Sequence, residues 1–319
     1  MYAYTGGKTG GHILPLISII QKSGVDAVYI GQKGNLEERL CRENRIQFIG
    51  LERSKHKLIG SIKGYFALKK ELKKYPIDAV ITSGGFVSVS ACLYALRKKI
   101  PLFLLEENVV VGSFNQMMYP FCRKMFLAYK IDGYSKKSVL SGIPLRPQRY
   151  SFEKESYDVL IIGGSLGSKV LCDLASTVSK TYKTCLIAGR YAKETGENDN
   201  LTVIEFSKDI YSLMASSKVI IARAGAATTA EIFYINKPLI CIPSMKTKKN
   251  HQYYNAKYFS ERNACTLCLE NDAKKHILSH IQNLLENDNL RVNMLTAQRK
   301  LVQPEAADLI LREIKESIS

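Results

Sequence analysis

Several common features are missing from this chain of 319 residues. No apolar run approaches the roughly 20 residues of a membrane-spanning helix, so none is predicted. The residues after Met1 lead directly into a glycine-rich turn, and we therefore expect no signal peptide. The eight cysteines form no disulfide framework, which favours a reducing cytoplasm. The C-x-x-C of Cys265 and Cys268 has neither a second pair nor nearby histidines, so it predicts no metal or redox site.

The composition predicts an ordinary globular protein, because 46% of residues are hydrophobic and 24% are charged. The length allows two domains. The formal net charge is +17, and residues 1–150 hold 24 of the 46 basic side chains but only 10 of the 29 acidic ones. This asymmetry predicts an anionic partner for the first half: nucleic acid, a lipid surface or an anionic substrate. The alternative is a basic surface that only aids solubility.

Short apolar runs alternate with helical stretches along the chain. The runs are apolar throughout rather than alternating, which predicts parallel strands covered by helices on both faces. After an apolar stub at the start, they occupy Ala27–Gly31, Asp78–Ser83, Pro101–Leu105, Lys124–Ala128, Tyr157–Gly164, Thr184–Gly189, Leu201–Phe206, Lys218–Arg223 and Pro238–Pro243.

The segment "TGGKTGGHILP", Thr5–Pro15, lies where the first strand leads into the first helix, which we predict over Ile13–Ser23. Glycines let a ligand approach the backbone, and the N terminus of a helix attracts anions. The segment is not a Walker A loop, because Tyr2 stands where that motif has a glycine, and its spacing is not G-x-G-x-x-G. It is therefore a different phosphate-binding loop or a tight turn without a ligand.

The second half begins as the first does, with "VLIIGGSLGSKVL" giving a strand, a glycine turn and a helix. A further glycine turn, Thr82–Ala91, follows a strand in the first half. These patterns predict an α/β protein of two Rossmann-like, doubly wound domains facing across a cleft, over residues 1–145 and 146–319. The segment Ser141–Gln148 is the predicted crossing, and a last helix at about residues 304–319 is a candidate for bracing the first domain.

The stretch Lys55–Pro76 has seven lysines and one glutamate among apolar residues. It predicts a basic amphipathic helix that docks on an anionic membrane surface. The predicted patch consists of Leu58, Ile59, Ile62, Phe66, Lys69 and Lys70. A helix packed on the core with a solvated back is the alternative. Met117, Met118, Tyr119 and Phe121, in the segment Phe114–Phe126, are expected to add to the same surface.

Seven segments, which follow one another in the order typical of the family, resemble the MurG family of glycosyltransferases, family 28, which have the GT-B fold. Besides the first glycine loop, the matching segments are "SGGFVS", "GIPLR", "GGSLGS" and "ARAGAATTAEI" (Ala222–Ile232). The segment "LEENVVVG" parallels the family's His-Glu-Gln-Asn, with Leu105 and Glu107 as departures. In "KKNHQYYNA", His251 replaces the first of two adjacent glutamines.

The resemblance implies an inverting hexosyltransferase of peptidoglycan and cell-wall synthesis. It would move N-acetylglucosamine from UDP-GlcNAc to the muramyl sugar of lipid I, an undecaprenyl-diphosphate-linked acceptor, and so make lipid II. The alternative is a related GT-B enzyme that glycosylates another membrane lipid. The family's cellular roles include cell shape and cell division.

The resemblance also implies that the second domain binds the donor. Arg223 and Ser165 would meet the diphosphate, while Glu231 would accept bonds from the ribose hydroxyls or lie on a solvated helical face. The segment Glu205–Ser207 would contact uracil. The remaining residues of the predicted donor set are Thr9, Gly10, Gly11, Asn108, Arg146, Gly225, Ala226, Thr228, His251 and Gln252.

The first domain would hold the acceptor diphosphate on Gly6, Gly7, Gly84, Gly85 and Ser88. Inverting transfer needs a base for the attacking hydroxyl, and His12 is the first candidate because an imidazole titrates near neutrality. Its alternative role is to donate a hydrogen bond to the acceptor phosphate. Glu106 is the second candidate base, although it could equally orient Asn108.

No cofactor or metal is expected beyond the donor substrate. The sequence lacks the Asp-x-Asp pair that would bridge Mg²⁺ to a nucleotide diphosphate, and helix N termini with Arg223 can supply the counter-charge. The expected location is peripheral, on the cytoplasmic face of the cell membrane. The residues alone leave two other functions possible: a non-catalytic sugar-nucleotide binding protein and a nucleic-acid binding protein. The resemblance implies no nucleic-acid partner.

Overall fold

The structure is a computed structural model that describes residues 1–7, 10–52, 57–146, 155–164, 167–195, 199–245 and 248–318, without the side chains of residues 57–62 and 248. Thr9 and Ser165 lie outside the described residues, as do the side chains of Leu58, Ile59 and Ile62. The chain forms two compact units. One contains Met1–Arg146 and Gln303–Ser319, and the other contains Pro147–Val302.

The first unit is built on a parallel sheet of seven strands in the order β3-β2-β1-β4-β5-β6-β7. The strands are β1 Tyr2–Gly6, β2 Ala27–Gln32, β3 Gln47–Leu51, β4 Ala79–Gly84, β5 Leu102–Glu106, β6 Lys124–Leu127 and β7 Ser138–Leu140. The helices are α1 Gly10–Ser23, α2 Leu36–Glu43, α3 Lys57–Leu72, α4 Ser88–Lys98 and α5 Ser113–Met118.

The strand order reverses between β1 and β4, which lie side by side in the sheet. Their last residues, Gly6 and Gly84, are partners in the register, with an irregularity at Thr5 and Gly6. Ligands of doubly wound sheets bind at the carboxyl ends of the strands where the order reverses. The first and second glycine turns therefore meet at the position where this topology places a ligand.

Helix α1 begins at Gly10, three residues before the predicted start at Ile13. Its apolar residues begin at Ile13, so periodicity alone misses the first turn. Pro15 lies inside the helix and cannot donate an N–H to the carbonyl of Gly11. The extension brings Gly10, Gly11 and His12 out of the turn and into the helix.

The second unit has a parallel sheet of six strands in the order β10-β9-β8-β11-β12-β13, which reverses between β8 and β11. The strands are β8 Tyr157–Ile162, β9 Thr184–Ile187, β10 Leu201–Ile204, β11 Ser217–Ala222, β12 Leu239–Cys241 and β13 Thr266–Leu267. The helices are α6 Lys169–Val178, α7 Ile210–Ala215, α8 Ala226–Ile235, α9 His251–Ser260, α10 Glu270–Glu286 and α11 Asp288–Leu301.

The last helix, α12 (Ala306–Ile318), belongs to the first unit and packs on α1. Ile310 and Ile314 are fully buried in the cluster that also contains Ile13 and Leu16 of α1. Burial of such a side chain contributes about 1.5–3 kcal/mol, so α12 is an integral part of this core. Among the described residues, no helix has both the length and the apolar character needed to cross a membrane.

Candidate active site

The first glycine turn is tightly packed against the side chains of Ser83, Glu37 and Tyr29. A Cβ at Gly6 would collide with the Ser83 hydroxyl, which donates a hydrogen bond of 2.7 Å to the carbonyl of His12. A Cβ at Gly7 would lie 2.9 Å from Oε1 of the buried Glu37. The Tyr29 hydroxyl donates to the Gly6 carbonyl at 2.7 Å. Glycine is therefore required here by packing, whether or not a ligand binds.

The second glycine turn lies directly beside the first. Gly84 and Gly85 both have a φ of +92°, in the region that favours glycine. A Cβ at Gly85 would lie 3.6 Å from the Gly7 carbonyl oxygen, so the two backbones are neighbours. Ser88 is fully buried, and its hydroxyl donates to the Gly84 carbonyl at 2.9 Å. Ser88 thus stabilises the turn through this hydrogen bond, and its hydroxyl is not at the surface.

His12 lies in the first turn of α1, where main-chain N–H groups have no intrahelical acceptor. Its side chain is 36% exposed, and Nδ1 lies 3.7 Å from Oε2 of Glu107. The N–H groups of this turn are suited to an anion, and the imidazole beside them is suited to proton transfer. The glycine turn and the histidine are therefore found together at one helix N terminus, and phosphate binding there stays a prediction.

Glu106, the last residue of β5, is 3% exposed and has both oxygens engaged. Oε1 accepts from the main-chain N–H and the side-chain amide of Asn108, at 3.1 and 3.2 Å. Oε2 accepts from the Gly112 N–H at 2.8 Å and from Asn115 Nδ2 at 2.9 Å. This arrangement fits the orienting role considered for Glu106, because four bonds hold the following loop in place.

Glu107, the next residue, has a different environment. It is also 3% exposed, but its Oε1 has no hydrogen-bond partner among the described residues. Burial first, and then the neighbouring Glu106, raise the pKa of Glu107 well above its ordinary value. A carboxyl group that is reluctant to ionise therefore lies beside the imidazole of His12.

The glycine turn that follows β8 is held by close backbone contacts. A Cβ at Gly163 would lie 2.9 Å from the Ile187 carbonyl, and one at Gly167 would lie 2.5 Å from the Ala188 carbonyl. Gly164 has a φ of +78° and open space around its Cα. The turn leads into α6, where the Ser168 hydroxyl accepts from the Leu171 N–H and caps the helix.

Arg223, just after β11, is bound to three groups. One guanidinium nitrogen donates to the Ile242 carbonyl at 2.9 Å, and another donates to the Ser168 hydroxyl at 2.8 Å. The latter nitrogen also lies 2.5 Å from Glu270, and both charged side chains are largely buried. Arg223 thus ties the start of α6 to the ends of β11 and β12. The contacts fix the guanidinium at the predicted donor site.

The N terminus of α8 is open. Gly225 is its N-cap, and a Cβ there would meet nothing within 4 Å. Ala226 and Thr228 lie in the first turn, so their main-chain N–H groups face the space before the helix. Glu231, in the second turn, is only 9% exposed, which rules out the solvated helical face considered for it.

Helix α9 begins with His251 and Gln252 after two residues in left-handed conformation, Lys249 and Asn250. Such a conformation costs energy in residues other than glycine and is common at binding sites. The Gln252 Oε1 accepts from the Ser244 N–H at 2.9 Å, which fixes the orientation of the side-chain amide. Asn255 donates to the Ala224 carbonyl at 3.1 Å and so joins α9 to the loop before α8.

The glycosyltransferase family 28 N-terminal domain matches residues 2–127, and the C-terminal domain of the same family matches residues 158–310. The chain belongs to glycosyltransferase family 28. The predicted family and the predicted class of enzyme are therefore confirmed.

Two relatives share the name UDP-N-acetylglucosamine–N-acetylmuramyl-(pentapeptide) pyrophosphoryl-undecaprenol N-acetylglucosamine transferase. The protein from Sulfurihydrogenibium is 30% identical over 86% of this chain and 86% of its own length. The one from Desulfitobacterium hafniense is 31% identical over 96% of both chains. The crystal structure of Acinetobacter baumannii MurG, 23% identical, covers 99% of this chain and 100% of its own with a TM-score of 0.81. The predicted α/β fold of GT-B type is confirmed.

Helix α3 of this family 28 enzyme combines a buried and an exposed face. Leu68 is fully buried, whereas Phe66 is 61% exposed, and Lys70 is also exposed. Lys69 is half-buried. The structure therefore has features of both alternatives for this segment. One face of α3 packs on the core, and the other exposes an aromatic ring among lysines.

The segment after β5 behaves similarly. Met117 and Phe121 are exposed by 55% and 59%, but Met118 is 6% exposed and belongs to the core. Tyr119 is half-buried and donates from its hydroxyl to the Tyr134 carbonyl at 3.0 Å. The expectation that Met118 adds to a docking surface is therefore wrong, because its side chain packs in the hydrophobic core of the first unit.

Sequence reasoning missed two buried side chains at the site, Glu37 and Asn115. Glu37 accepts from the Gln32 N–H and contacts the Gly7 turn from α2, and Asn115 binds Glu106 from α5. Neither belongs to a recognisable motif, so only the fold brings them together. Arg146 is half-buried at the end of the first unit. No group of three or more potential metal ligands occurs among the described residues.

Proposed function

We propose that this enzyme moves N-acetylglucosamine from UDP-N-acetylglucosamine to the muramyl sugar of lipid I and so forms lipid II. The observation that carries the proposal is that each unit has a glycine turn beside a helix N terminus, a geometry suited to an anion. In the first unit, two adjoining glycine turns meet the N terminus of α1, and in the second, the Gly163–Gly167 turn accompanies the open N terminus of α8. A reaction between a nucleotide diphosphate and a lipid diphosphate needs two such sites. The full-length match to transferases of that name supports the choice of substrates.

The first unit would hold the acceptor, with the diphosphate against Gly6, Gly7 and Gly85. His12 acts as the base: its Nε2 takes the proton of the attacking sugar hydroxyl. The hydroxyl oxygen then forms a bond to the anomeric carbon of the donor, whose bond to the diphosphate oxygen breaks with the electron pair leaving on UDP. The four bonds already accepted by Glu106 favour His12 over Glu106 for this role.

The second unit would hold the donor. The N–H groups at the start of α8 bind the diphosphate, Glu231 accepts from the ribose hydroxyls, and Gln252 with His251 binds the sugar. Arg223 contributes positive charge close to the diphosphate while it holds Ser168 and Glu270. These groups neutralise the leaving diphosphate without a metal ion.

The exposed face of α3 would bring the enzyme to the membrane that carries the acceptor. Phe66, Met117 and Phe121 expose apolar surface. Lys70 lies on α3, in a segment where basic residues outnumber acidic ones. An anionic lipid surface attracts such a patch with about 1 kcal/mol for each engaged basic side chain. Binding would be peripheral, at the cytoplasmic face.

The test is a matrix of donors and acceptors with purified enzyme, followed by UDP release. UDP-GlcNAc is expected to turn over with a lipid I analogue, and UDP-glucose with the same analogue is not. If UDP is released from UDP-GlcNAc with another polyprenyl-linked sugar, and no lipid I analogue supports release, the enzyme uses a different lipid acceptor. A lack of release from any UDP-sugar would contradict the proposal.

A further inference from the structure

Two consecutive buried glutamates lie at the end of β5, and only Glu106, the last residue of the strand, has both oxygens hydrogen-bonded. Glu106 accepts four hydrogen bonds from the loop that it anchors. Glu107 is equally buried, but its Oε1 has no hydrogen-bond partner among the described residues, and its Oε2 lies 3.7 Å from Nδ1 of His12. A buried carboxyl group without enough partners costs stability and calls for a physical explanation.

We propose that Glu107 is the positioning residue for His12: its carboxylate accepts the Nδ1 proton and directs the basic Nε2 of the imidazole toward the acceptor hydroxyl. This inference rests on the proposed function, because it assigns a partner to the base of that reaction. The distance of 3.7 Å is longer than a hydrogen bond, as is common for catalytic contacts in a site without substrate, and it would shorten when the acceptor binds. The family motif that this segment resembles has glutamine at this place.

Tyr29 and Glu106 interact electrostatically with Glu107, and Glu37 interacts with Tyr29. Glu106 lies on β5, Tyr29 on β2 and Glu37 on α2. Burial, Cys41, Glu37 and Glu107 together raise the pKa of Tyr29 well above its ordinary value, so this phenol stays neutral. Burial and Glu106 raise the pKa of Glu107. The carboxyl group of Glu107 is thereby made more basic and closer in proton affinity to an imidazole.

The pair then titrates as one unit. Its active form, reached above the raised pKa of Glu107, holds one proton, on Nδ1 of His12, with Glu107 ionised. When Nε2 accepts the hydroxyl proton, the positive charge on the imidazole is balanced by Glu107, or the Nδ1 proton passes to Glu107 and both groups end neutral. Protonation of the free pair at low pH blocks Nε2 or reverses the tautomer, and this sets the acidic limb of the rate profile.

Glu107→Gln is the test, because it keeps the shape and removes the charge. We expect kcat to fall on the order of tenfold while KM for UDP-GlcNAc changes little, since the base is less well directed in the transition state. The acidic limb of kcat against pH should move to lower pH, because His12 loses the negative charge that stabilises its protonated form. Glu52→Gln is the matched control: its side chain is 79% exposed and pairs with Lys33, so neither quantity should change.

A second readout does not depend on turnover. The chain has only five histidines, so the imidazole protons of His12 can be followed by NMR and assigned with His12→Gln. The His12 titration should shift downward in Glu107→Gln and not in Glu52→Gln. An unchanged titration and an unchanged pH profile would overturn the inference, since Glu107 would then be no more than a neutral equivalent of glutamine. A shift in the NMR titration of an enzyme that transfers no sugar would support the pairing and count against the proposed function.

Discussion

At the scale of single residues, Glu106 at the end of β5 and His12 at the start of α1 have different hydrogen-bonding environments. Glu106 accepts hydrogen bonds on both oxygens, whereas the His12 side chain is one-third exposed at the start of α1, where N–H groups have no intrahelical acceptor. The sequence alone left both as candidate bases, because both are polar residues in motifs. Only the hydrogen bonds, made to Gly112 and Asn115 up to nine residues away, separate the two roles.

His12→Gln should abolish most of the turnover. We expect kcat to fall about 10²–10⁴-fold, the range that a positioned base contributes, with little change in KM for UDP-GlcNAc. The melting temperature should stay the same, because the Ser83 hydroxyl bonds the main-chain carbonyl of His12 and not its side chain. His276→Gln on α10 is the control. A variant at His12 that kept half of the wild-type kcat would show that the base lies elsewhere.

Glu106→Ala should lose stability and activity together. The substitution removes the acceptor of four hydrogen bonds, and each buried donor left unpaired costs about 1–3 kcal/mol. Thermal unfolding should therefore occur at a clearly lower temperature, and the misplaced loop should lower kcat. A full loss of turnover at an unchanged melting temperature would mean that Glu106 itself takes part in the chemistry.

At the scale of elements, the buried strands could be predicted from their apolar runs, because strands covered on both faces must be apolar throughout. Two edge strands of the first unit, β3 and β7, escaped prediction. Gln47–Leu51 is only partly buried and contains a glycine, and Ser138–Leu140 is three residues long, so neither produces a continuous apolar run. The start of α1 escaped for the same kind of reason, since glycines and a histidine carry no helical periodicity.

Helix α3 carries the proposal of membrane docking. Phe66→Ser should weaken binding to vesicles rich in phosphatidylglycerol by roughly tenfold, because an exposed phenyl ring that enters the bilayer interface contributes about 1.5–3 kcal/mol. Sedimentation with vesicles at several salt concentrations measures this, and raised salt should weaken the wild type as well. Val292→Ser on α11 is the control, since Val292 is 59% exposed in the other unit. Equal binding of wild type and Phe66→Ser would remove α3 from the docking surface.

At the scale of the whole molecule, two doubly wound units were predictable because the strand, glycine turn and helix sequence occurs once in each half. The strand orders were not predictable from any single segment, yet they place the glycine turns side by side at β1 and β4 and the donor motif beside the Gly163 turn at β8 and β11. Contacts such as Arg223 with Glu270 join residues far apart in sequence and follow only from the folded chain.

Catalysis is expected to need no divalent cation. The sequence has no Asp-x-Asp pair, and we expect the helix N termini, with Arg223, to stabilise the diphosphates. UDP release in the presence of excess EDTA should therefore retain most of its rate. A loss of activity with EDTA that added Mg²⁺ restores would show that a metal neutralises the diphosphate instead.

The central claim is that the glycine turns and helix N termini bind the diphosphates of the two substrates. A crystal structure of the enzyme with UDP-GlcNAc tests it most directly. The diphosphate is expected within hydrogen-bond distance of the N–H groups that begin α8, next to the glycine turn that follows β8, with the ribose on Glu231. A nucleotide bound anywhere else in the molecule would contradict it.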